Sequence, residues 1–250
     1  MNIPNFLIVF VASAFASIFG SLIGGASLVT IPTLMLIGLP PHTAIGTDRF
    51  GLMGIGLTGW YLFHKKGMMD YRVGVTTGIP VFVGSFIGAN LVLQINESAL
   101  RVIIIGISLL LLPVIMLSPK IGMERTKSVL GKRDYVVGVL LSFLTGIYGG
   151  FYGVLSATFL SYVLILWFGL TFLECAATIK IGSICMTSMA AFVFAYHKAV
   201  DYPMAIAVLL GCCTGTLIGV YYSGRIGNVW IKRCFILLVL VMLVKLIIGK

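Results

Sequence analysis

Two basic residues, each placed two positions after a threonine, are the residues of this sequence whose chemistry suits an anion. Thr47 precedes Arg49 in the first half of the chain, and Thr178 precedes Lys180 in the second half. Each pair stands at the start of a long apolar segment, where a charged side chain is costly and usually serves a function. Two such cations, brought together, would suit one small oxyanion. These four residues are therefore the first candidates for a binding site.

The separation between Thr47 and Thr178 recurs over much of the chain. Further residues of the first half meet an identical residue at the same separation, among them Gly38 with Gly169, Asp70 with Asp201 and Gly88 with Gly219. This regularity predicts two internal repeats. We expect the first repeat at residues 1–117 and the second at 135–250, joined by a hydrophilic linker at 118–134.

The composition is that of a membrane protein. Of the 250 residues, 60% are hydrophobic and 10% are charged, whereas about a quarter of residues are charged in soluble domains. The mean hydropathy is +1.13, and apolar runs long enough to cross about 30 Å of hydrocarbon recur from end to end. We predict an all-α polytopic membrane protein with about four spans per repeat. The unbroken spans are expected near 44–63, 73–93, 100–117, 175–196, 203–223 and 231–248.

The first segment of each repeat is too long for one membrane-spanning helix. Residues 6–38 are apolar throughout, and a straight helix of that length would measure about 50 Å. Because the hydrocarbon core is only about 30 Å thick, we predict that the first helix of each repeat is broken or re-entrant. Glycines place the first break at 20–27 and the second at 146–153.

The charge balance bears on orientation and on partners. The net charge of +10 fits the excess of Lys and Arg found in cytoplasmic loops of membrane proteins. It places the linker 118–134 on the cytoplasmic side of the cell inner membrane. A nucleic-acid partner is not expected, because no basic domain lies outside the membrane segments. The same rule does not choose between parallel and inverted repeats, since both arrangements divide the remaining cations equally well.

Several short motifs follow one another in a particular order: a glycine-rich break, Pro32, Gly38-Leu-Pro, Ala44-Ile-Gly-Thr47, a basic turn and Asp70-Tyr-Arg72. This order and the duplicated design resemble the TauE/SafE sulfite exporter family (TSUP) over essentially the whole chain. Thr47-Asp-Arg49 and Thr178-Ile-Lys180 are similar to the Gly-Thr-Asn-Lys and the second Thr-x-Lys of one large bacterial branch, with Asp48 in place of the usual Asn. The resemblance implies movement of small sulfur-containing anions, such as sulfite or organosulfonates, across the bacterial inner membrane.

The residues themselves indicate where such an anion would bind. Transporters built from repeats commonly bind substrate where broken helices turn their N-terminal ends toward a cavity, and the unpaired N–H groups at such ends favour anions. We therefore predict a substrate site between the repeats, with no metal ion and no cofactor. Its candidate residues are Arg49, Lys180, Thr47, Thr178, Gly24, Gly25, Ser27, Gly150, Gly153 and Ser156.

Other roles are open for the two cations and their threonines. Both cations could reach out to lipid headgroups. Each could instead form a buried ion pair with the other repeat, Arg49 with Glu174 or Lys180 with Asp48. Pairing of Asp48 with the adjacent Arg49 is expected to be poor, because neighbours lack the three- or four-residue spacing of helical ion pairs. The threonines could equally cap helices.

A transporter rather than an enzyme is expected, either a secondary carrier or a uniporter. The alternative is an intramembrane thiol–disulfide relay or another membrane enzyme. However, the five cysteines form no Cys-x-x-Cys, they do not match between the repeats, and no hydrolase motif occurs. No acidic residue in mid-span is an obvious coupling site, which favours export of a monoanion driven by the membrane potential. Proton or sodium coupling and a homo-oligomer stay open.

Overall fold

The computed structural model describes residues 3–21, 24–117 and 131–222, and in these ranges it contains nine helices and no strand. The predicted all-helical fold is thus confirmed for the described residues. The predicted span at 231–248 and residues 118–130 of the predicted linker lie outside them. The helices are α1 (Ile3–Gly20), α2 (Ser27–Leu36), α3 (Pro41–Lys65), α4 (Tyr71–Leu93), α5 (Glu97–Leu117), α6 (Lys132–Phe151), α7 (Ser156–Leu166), α8 (Phe172–Tyr196) and α9 (Tyr202–Tyr222).

Four of the described helices are long and apolar enough to cross a membrane: α4, α6, α8 from Leu173 onward, and α9 as far as Tyr221. Their outward faces carry large apolar side chains, among them Ile79, Leu140 and Phe192, which are 57–65% exposed. Extended apolar surface of this kind is rare on soluble proteins and marks contact with lipid or a partner. The outer surface therefore fits a lipid bilayer.

The first predicted break, at 20–27, is confirmed. Helix α1 ends at Gly20 and α2 begins at Ser27. Between them, Gly24 and Gly25 have φ angles of +86° and +90°. Glycine adopts this left-handed region at no steric cost, whereas a side chain would be strained there. The two helices are therefore separate elements.

The second break lies later than predicted. Helix α6 continues through Gly146 and Gly150 to Phe151, and the break is formed by residues 152–155, where Gly153 and Leu155 have φ angles of 69° and 58°. Gly146 and Gly150 serve a different purpose, since a Cβ on them would lie 2.4 Å and 2.1 Å from carbonyl oxygens of α4. The prediction was right for Gly153 and wrong for Gly146 and Gly150, because these two glycines allow close helix approach and do not end the helix.

Helices that are far apart in sequence pack most extensively. Helix α4 packs on α6, and α1 packs on α9. Glycines again make the approach possible, because a Cβ on Gly215 of α9 would lie 2.0 Å from the Ala14 carbonyl oxygen of α1. Helices α3 and α8 contact each other. In addition, α3 packs on α9 and α8 packs on α4. The two helices that carry Arg49 and Lys180 are thus held side by side.

Candidate functional site

The two breaks meet the two central helices around an enclosed cavity of about 40 Å³. One water needs roughly 10–15 Å³ of such space, so the cavity has room for about three waters or an anion of similar size. Eleven of its sixteen lining residues are glycines or carry a polar side chain. The lining residues are Gly20, Gly24, Gly25, Ala26 and Ser27 of the first break, Arg49, Leu52, Ile55 and Gly56 of α3, Gly153 of the second break with Ser156 and Ala157 at the start of α7, and Lys180, Ser183, Met186 and Thr187 of α8.

Seven of the ten residues proposed from the sequence line this one cavity. They come from four separate elements, namely both breaks, α3 and α8, and the fold brings them together. The remaining three, Thr47, Thr178 and Gly150, are not among the lining residues. The seven are Gly24, Gly25, Ser27, Arg49, Gly153, Ser156 and Lys180.

Thr47 and Thr178 hold the ends of other helices. The Thr47 hydroxyl oxygen accepts a hydrogen bond of 2.9 Å from the backbone N–H of Asp201, and that of Thr178 accepts one of 3.0 Å from Asp70. Asp70 and Asp201 in turn accept, through their carboxylates, from the first turns of α4 and α9. The two threonines therefore tie the central helices to the starts of α4 and α9.

Arg49 is fully buried and connects the two breaks. Its Nη2 donates to the backbone oxygen of Tyr152 at 2.8 Å in the second break and to Ser27 Oγ at 3.1 Å at the start of α2. Gly153 makes room for it, since a Cβ there would lie 2.1 Å from Arg49 Nη1. Tyr152 is itself fixed by a 2.7 Å hydrogen bond between its hydroxyl and Ser108 of α5. The guanidinium is thus held in one position.

Two of the nitrogens of Arg49 lack partners. Its Nε and Nη1 are buried and make no hydrogen bond to any described residue. A guanidinium offers five N–H donors, and a buried donor left unpaired costs about 1–3 kcal/mol. Since Arg49 lines the cavity, an anion placed there is the ligand that would satisfy these donors. Charge-assisted hydrogen bonds of this type are among the stronger ones.

Asp48 forms an ion pair with the adjacent Arg49, a pairing that the sequence analysis expected to be poor. Its Oδ2 lies 3.0 Å from Arg49 Nη2, with both side chains fully inaccessible. Ser27 Oγ donates to the same carboxylate at 2.9 Å, and Thr30 Oγ1 donates to its other oxygen. The expectation was wrong because the three- or four-residue rule applies to side chains along a helix surface. Here the first turn of α2, whose dipole favours negative charge, holds the carboxylate and Arg49 reaches it.

The cross-repeat ion pairs considered for the sequence are not formed. Glu174 caps the start of α8, accepting from the Thr171 backbone N–H at 2.9 Å. Lys180 Nζ donates to the Ser21 backbone oxygen, and no carboxylate in the described ranges lies within 4.0 Å of it. Lys180 is 4% exposed and Arg49 is 0% exposed, so neither side chain reaches lipid headgroups.

Three features of the site were missing from the proposed residues. Asp48 had a signal in the sequence, since an acidic residue inside an apolar segment needs a partner, and Arg49 adjoins it. The Tyr152 backbone oxygen had none, because any residue type supplies a carbonyl. Ser183 and Thr187 line the cavity from the turns of α8 that follow Lys180. In the described part of the chain, no cluster of three or more His, Cys, Asp or Glu side chains suits a metal ion.

Comparison with known proteins places the chain in a family. The family model described as sulfite exporter TauE/SafE matches residues 9–246. The chain belongs to this family. It is 26% identical to the probable membrane transporter protein YdhB of Bacillus subtilis, covering 86% of this chain and 88% of that protein. A probable membrane transporter protein of Haemophilus influenzae is 25% identical, covering 99% and 96%, and YfcA of Escherichia coli K12 is 23% identical, covering 96% and 88%.

The relatives agree with the apolar helices that this is a multi-pass membrane protein. All three are named as probable transporters, which is consistent with the expectation that the chain is not an enzyme. The thiol–disulfide alternative finds no support. The described cysteines at 175, 185, 212 and 213 are free thiols, and none lines the cavity. No solved structure matches the chain.

Proposed function

We propose that the protein is a secondary carrier or uniporter for a small anion, which binds between Arg49 and Lys180. The observation that carries the proposal is the pair of unpartnered Arg49 nitrogens, Nε and Nη1, buried at the wall of an enclosed cavity. Lys180 lines the same cavity, and no described carboxylate pairs with it. Two buried cations facing an enclosed space are costly, and a bound anion offsets that cost.

A sulfur oxyanion, such as sulfite or an organosulfonate, is the proposed substrate class. The description of the family supports it, while the relatives carry the name of transporter without a substrate. The chemistry is compatible, because sulfonate and sulfite oxygens accept hydrogen bonds from guanidinium, ammonium and hydroxyl groups at once. The donors available in the wall are Arg49, Lys180 and Ser183, since the Thr187 hydroxyl already donates to the Ser183 backbone oxygen at 2.8 Å.

The proposal includes two internal repeats that form the two walls of the site. Helices α3 and α8 each have 25 residues, and they begin at the matching positions Pro41 and Phe172. The hydrogen bonds of Thr47 to Asp201 and of Thr178 to Asp70 have the same form in both halves. Rocking of one half against the other would open the enclosed cavity to each side of the membrane in turn. We place the linker 118–134 in the cytoplasm and the protein in the inner membrane.

The direction of transport is left open in this proposal, although the sequence favoured export. Export was favoured because no mid-span acid was an obvious coupling site. Asp48 is such an acid, since it is fully buried in α3 and contacts Arg49. The membrane potential still favours export of a monoanion by about 2.3 kcal/mol per 100 mV. With an ionisable acid at the site, uptake coupled to a proton or to sodium is equally compatible.

Flux measurements test the proposal. The purified protein is reconstituted in liposomes, and uptake of radiolabelled sulfite and methanesulfonate is measured with and without an imposed membrane potential. We expect saturable flux that Arg49→Gln abolishes. Arg72→Gln is the matched control, because Arg72 is exposed and does not line the cavity. Equal flux through both variants, or no flux above empty liposomes for the wild type, would refute the proposal.

A further inference from the structure

The cavity carries an unequal set of charges. Two cations, Arg49 and Lys180, line it, and one carboxylate, Asp48, contacts Arg49 at 3.0 Å. No other charged residue among the described ranges lines the cavity. From this arrangement we infer that Asp48 is a specificity-determining residue, which makes the site select singly charged anions over doubly charged ones. The inference rests on the proposed anion transport and specifies the charge of the anion that is transported.

Charge balance is the first step of the argument. All three charged groups are almost completely inaccessible to water, with exposures of 0%, 0% and 4% for Asp48, Arg49 and Lys180. In such surroundings an uncompensated charge is expensive, and charges interact far more strongly than in water. The three groups together carry one net positive charge. A monoanion brings the site to neutrality, whereas a dianion leaves it with one uncompensated negative charge.

Hydrogen bonding leads to the same conclusion. Asp48 engages Nη2 of Arg49 together with the hydroxyls of Ser27 and Thr30. The donors at the start of α2 are therefore used by the protein's own carboxylate. What Arg49 still offers to an anion is Nε and Nη1, which together carry three N–H donors. A doubly charged anion would need donors that Asp48 already holds, and it would meet the repulsion of that carboxylate.

The two halves differ at this residue. The position that corresponds to Asp48 in the second half is occupied by Ile179, a buried apolar residue. The second break therefore has no equivalent carboxylate, and Ser156 Oγ at the start of α7 donates to the Gly153 backbone oxygen. Gly153 also lies against Arg49 Nη1, since a Cβ on this glycine would be 2.1 Å from that nitrogen. Nη1 thus lies against the second break, which contributes no carboxylate to the lining of the cavity.

Methanesulfonate and sulfate are suitable probes for this inference. Each presents oxygens on a tetrahedral sulfur, and they differ in charge, because a methyl group replaces one oxygen. Uptake of both is measured near neutral pH in liposomes that contain the full-length protein. For the wild type we expect methanesulfonate uptake at least about tenfold faster than sulfate uptake, a tenfold preference being worth about 1.4 kcal/mol. For Asp48→Asn, which keeps the shape and removes the charge, the ratio is expected to fall by at least about tenfold.

Asp70→Asn provides the matched control. Asp70 caps α4 by accepting from the Val73 N–H and does not line the cavity, and asparagine caps helices as well as aspartate does. This variant is expected to keep the wild-type ratio. Any preference that arises from the methyl group rather than from charge is common to all three proteins, so it does not affect the change in the ratio.

Each outcome has a separate meaning. Wild-type uptake of sulfate as fast as methanesulfonate would overturn the inference, and so would an unchanged ratio in a transporting Asp48→Asn protein. In both cases anion transport itself would stand. If neither anion moves through any variant nor shifts its melting temperature, the proposed function fails and the inference with it. Should Asp48→Asn not fold, as judged by gel filtration, Asp48→Ser takes its place, and an unchanged ratio in that variant would equally overturn the inference.

Discussion

Arg49 and Lys180 occupy matching positions in the two halves, yet their surroundings differ. Arg49 has a carboxylate beside it and donates to the second break and to the start of α2. Lys180 stands between two isoleucines and donates to a backbone oxygen near the end of α1. Each lies against a glycine of another segment, Arg49 against Gly153 and Lys180 against Gly59.

This difference shows that a buried cation can stabilise the framework of the site, bind a ligand, or do both. Arg49 joins the two breaks and neutralises a buried acid, so it serves the structure as well as a ligand. Lys180 has no described carboxylate partner, and its charge is available to an anion alone. Two cations at matching positions of the two halves therefore need not have the same role. The predictions below test this contrast between an organising arginine and a ligand-facing lysine.

The largest effect is expected for the ion pair of the first half. Arg49→Gln leaves the Asp48 carboxylate buried without its cation, which should cost about 3–5 kcal/mol of stability. Adding Asp48→Asn removes the uncompensated charge and should restore most of that loss. Thermal unfolding in detergent of both single variants and the double variant measures the coupling. Additive effects, with no recovery in the double variant, would show that the pair does not organise the breaks.

The glycines beside the two cations should respond unequally. Gly153→Ala places a Cβ 2.1 Å from Arg49 Nη1 in a residue with a φ angle of +69°, and such a conformation costs about 1–3 kcal/mol. Gly59→Ala meets only the flexible stem of Lys180, at 2.9 Å. We expect a clearly lower melting temperature for the first variant and a much smaller change for the second. Equal losses would remove this part of the contrast.

Lys180→Gln should have the smallest effect on stability. The variant loses one hydrogen bond to a backbone oxygen and also a buried, unpaired positive charge, so the two contributions oppose each other. We expect its stability to remain within about 1 kcal/mol of the wild type, while anion flux is lost. Parallel melting and flux measurements check this. A loss as large as that of Arg49→Gln would mean that Lys180 is also part of the framework.

Much of the helical framework could be predicted from the sequence, because apolar length and turn residues are local properties. Helix α4 was expected at 73–93 and is found at Tyr71–Leu93. The second break was misplaced because a glycine that permits close packing looks the same in a sequence as a glycine that ends a helix. Gly150 shows this, since it faces the Ser85 backbone of α4.

The site was predictable in its charges and less so in its contacts. Arg49 and Lys180 stand out in the sequence because membrane segments rarely contain cations. The partners of Asp48 come from α2 and from its own neighbour, and no rule of spacing along one helix foresees a carboxylate held by two helices at once. Thr47 and Thr178 were grouped with the cations by their spacing, yet their hydroxyls face the starts of α9 and α4. The hydroxyls of Thr47 and Thr178 bind the backbone of Asp201 and Asp70 because these threonines lie where α3 and α8 pass the starts of α9 and α4.

The most direct test of the central claim, that Arg49 holds the transported anion, uses the double variant Arg49→Gln, Asp48→Asn. Because this variant removes both charges of the ion pair, it leaves no carboxylate without its cation and so separates binding from folding. Methanesulfonate flux into liposomes and the methanesulfonate-induced rise in melting temperature are measured beside the wild type. We predict a melting temperature close to that of the ligand-free wild type, with no flux and no ligand-induced rise. Flux at the wild-type rate in this folded double variant would contradict the account.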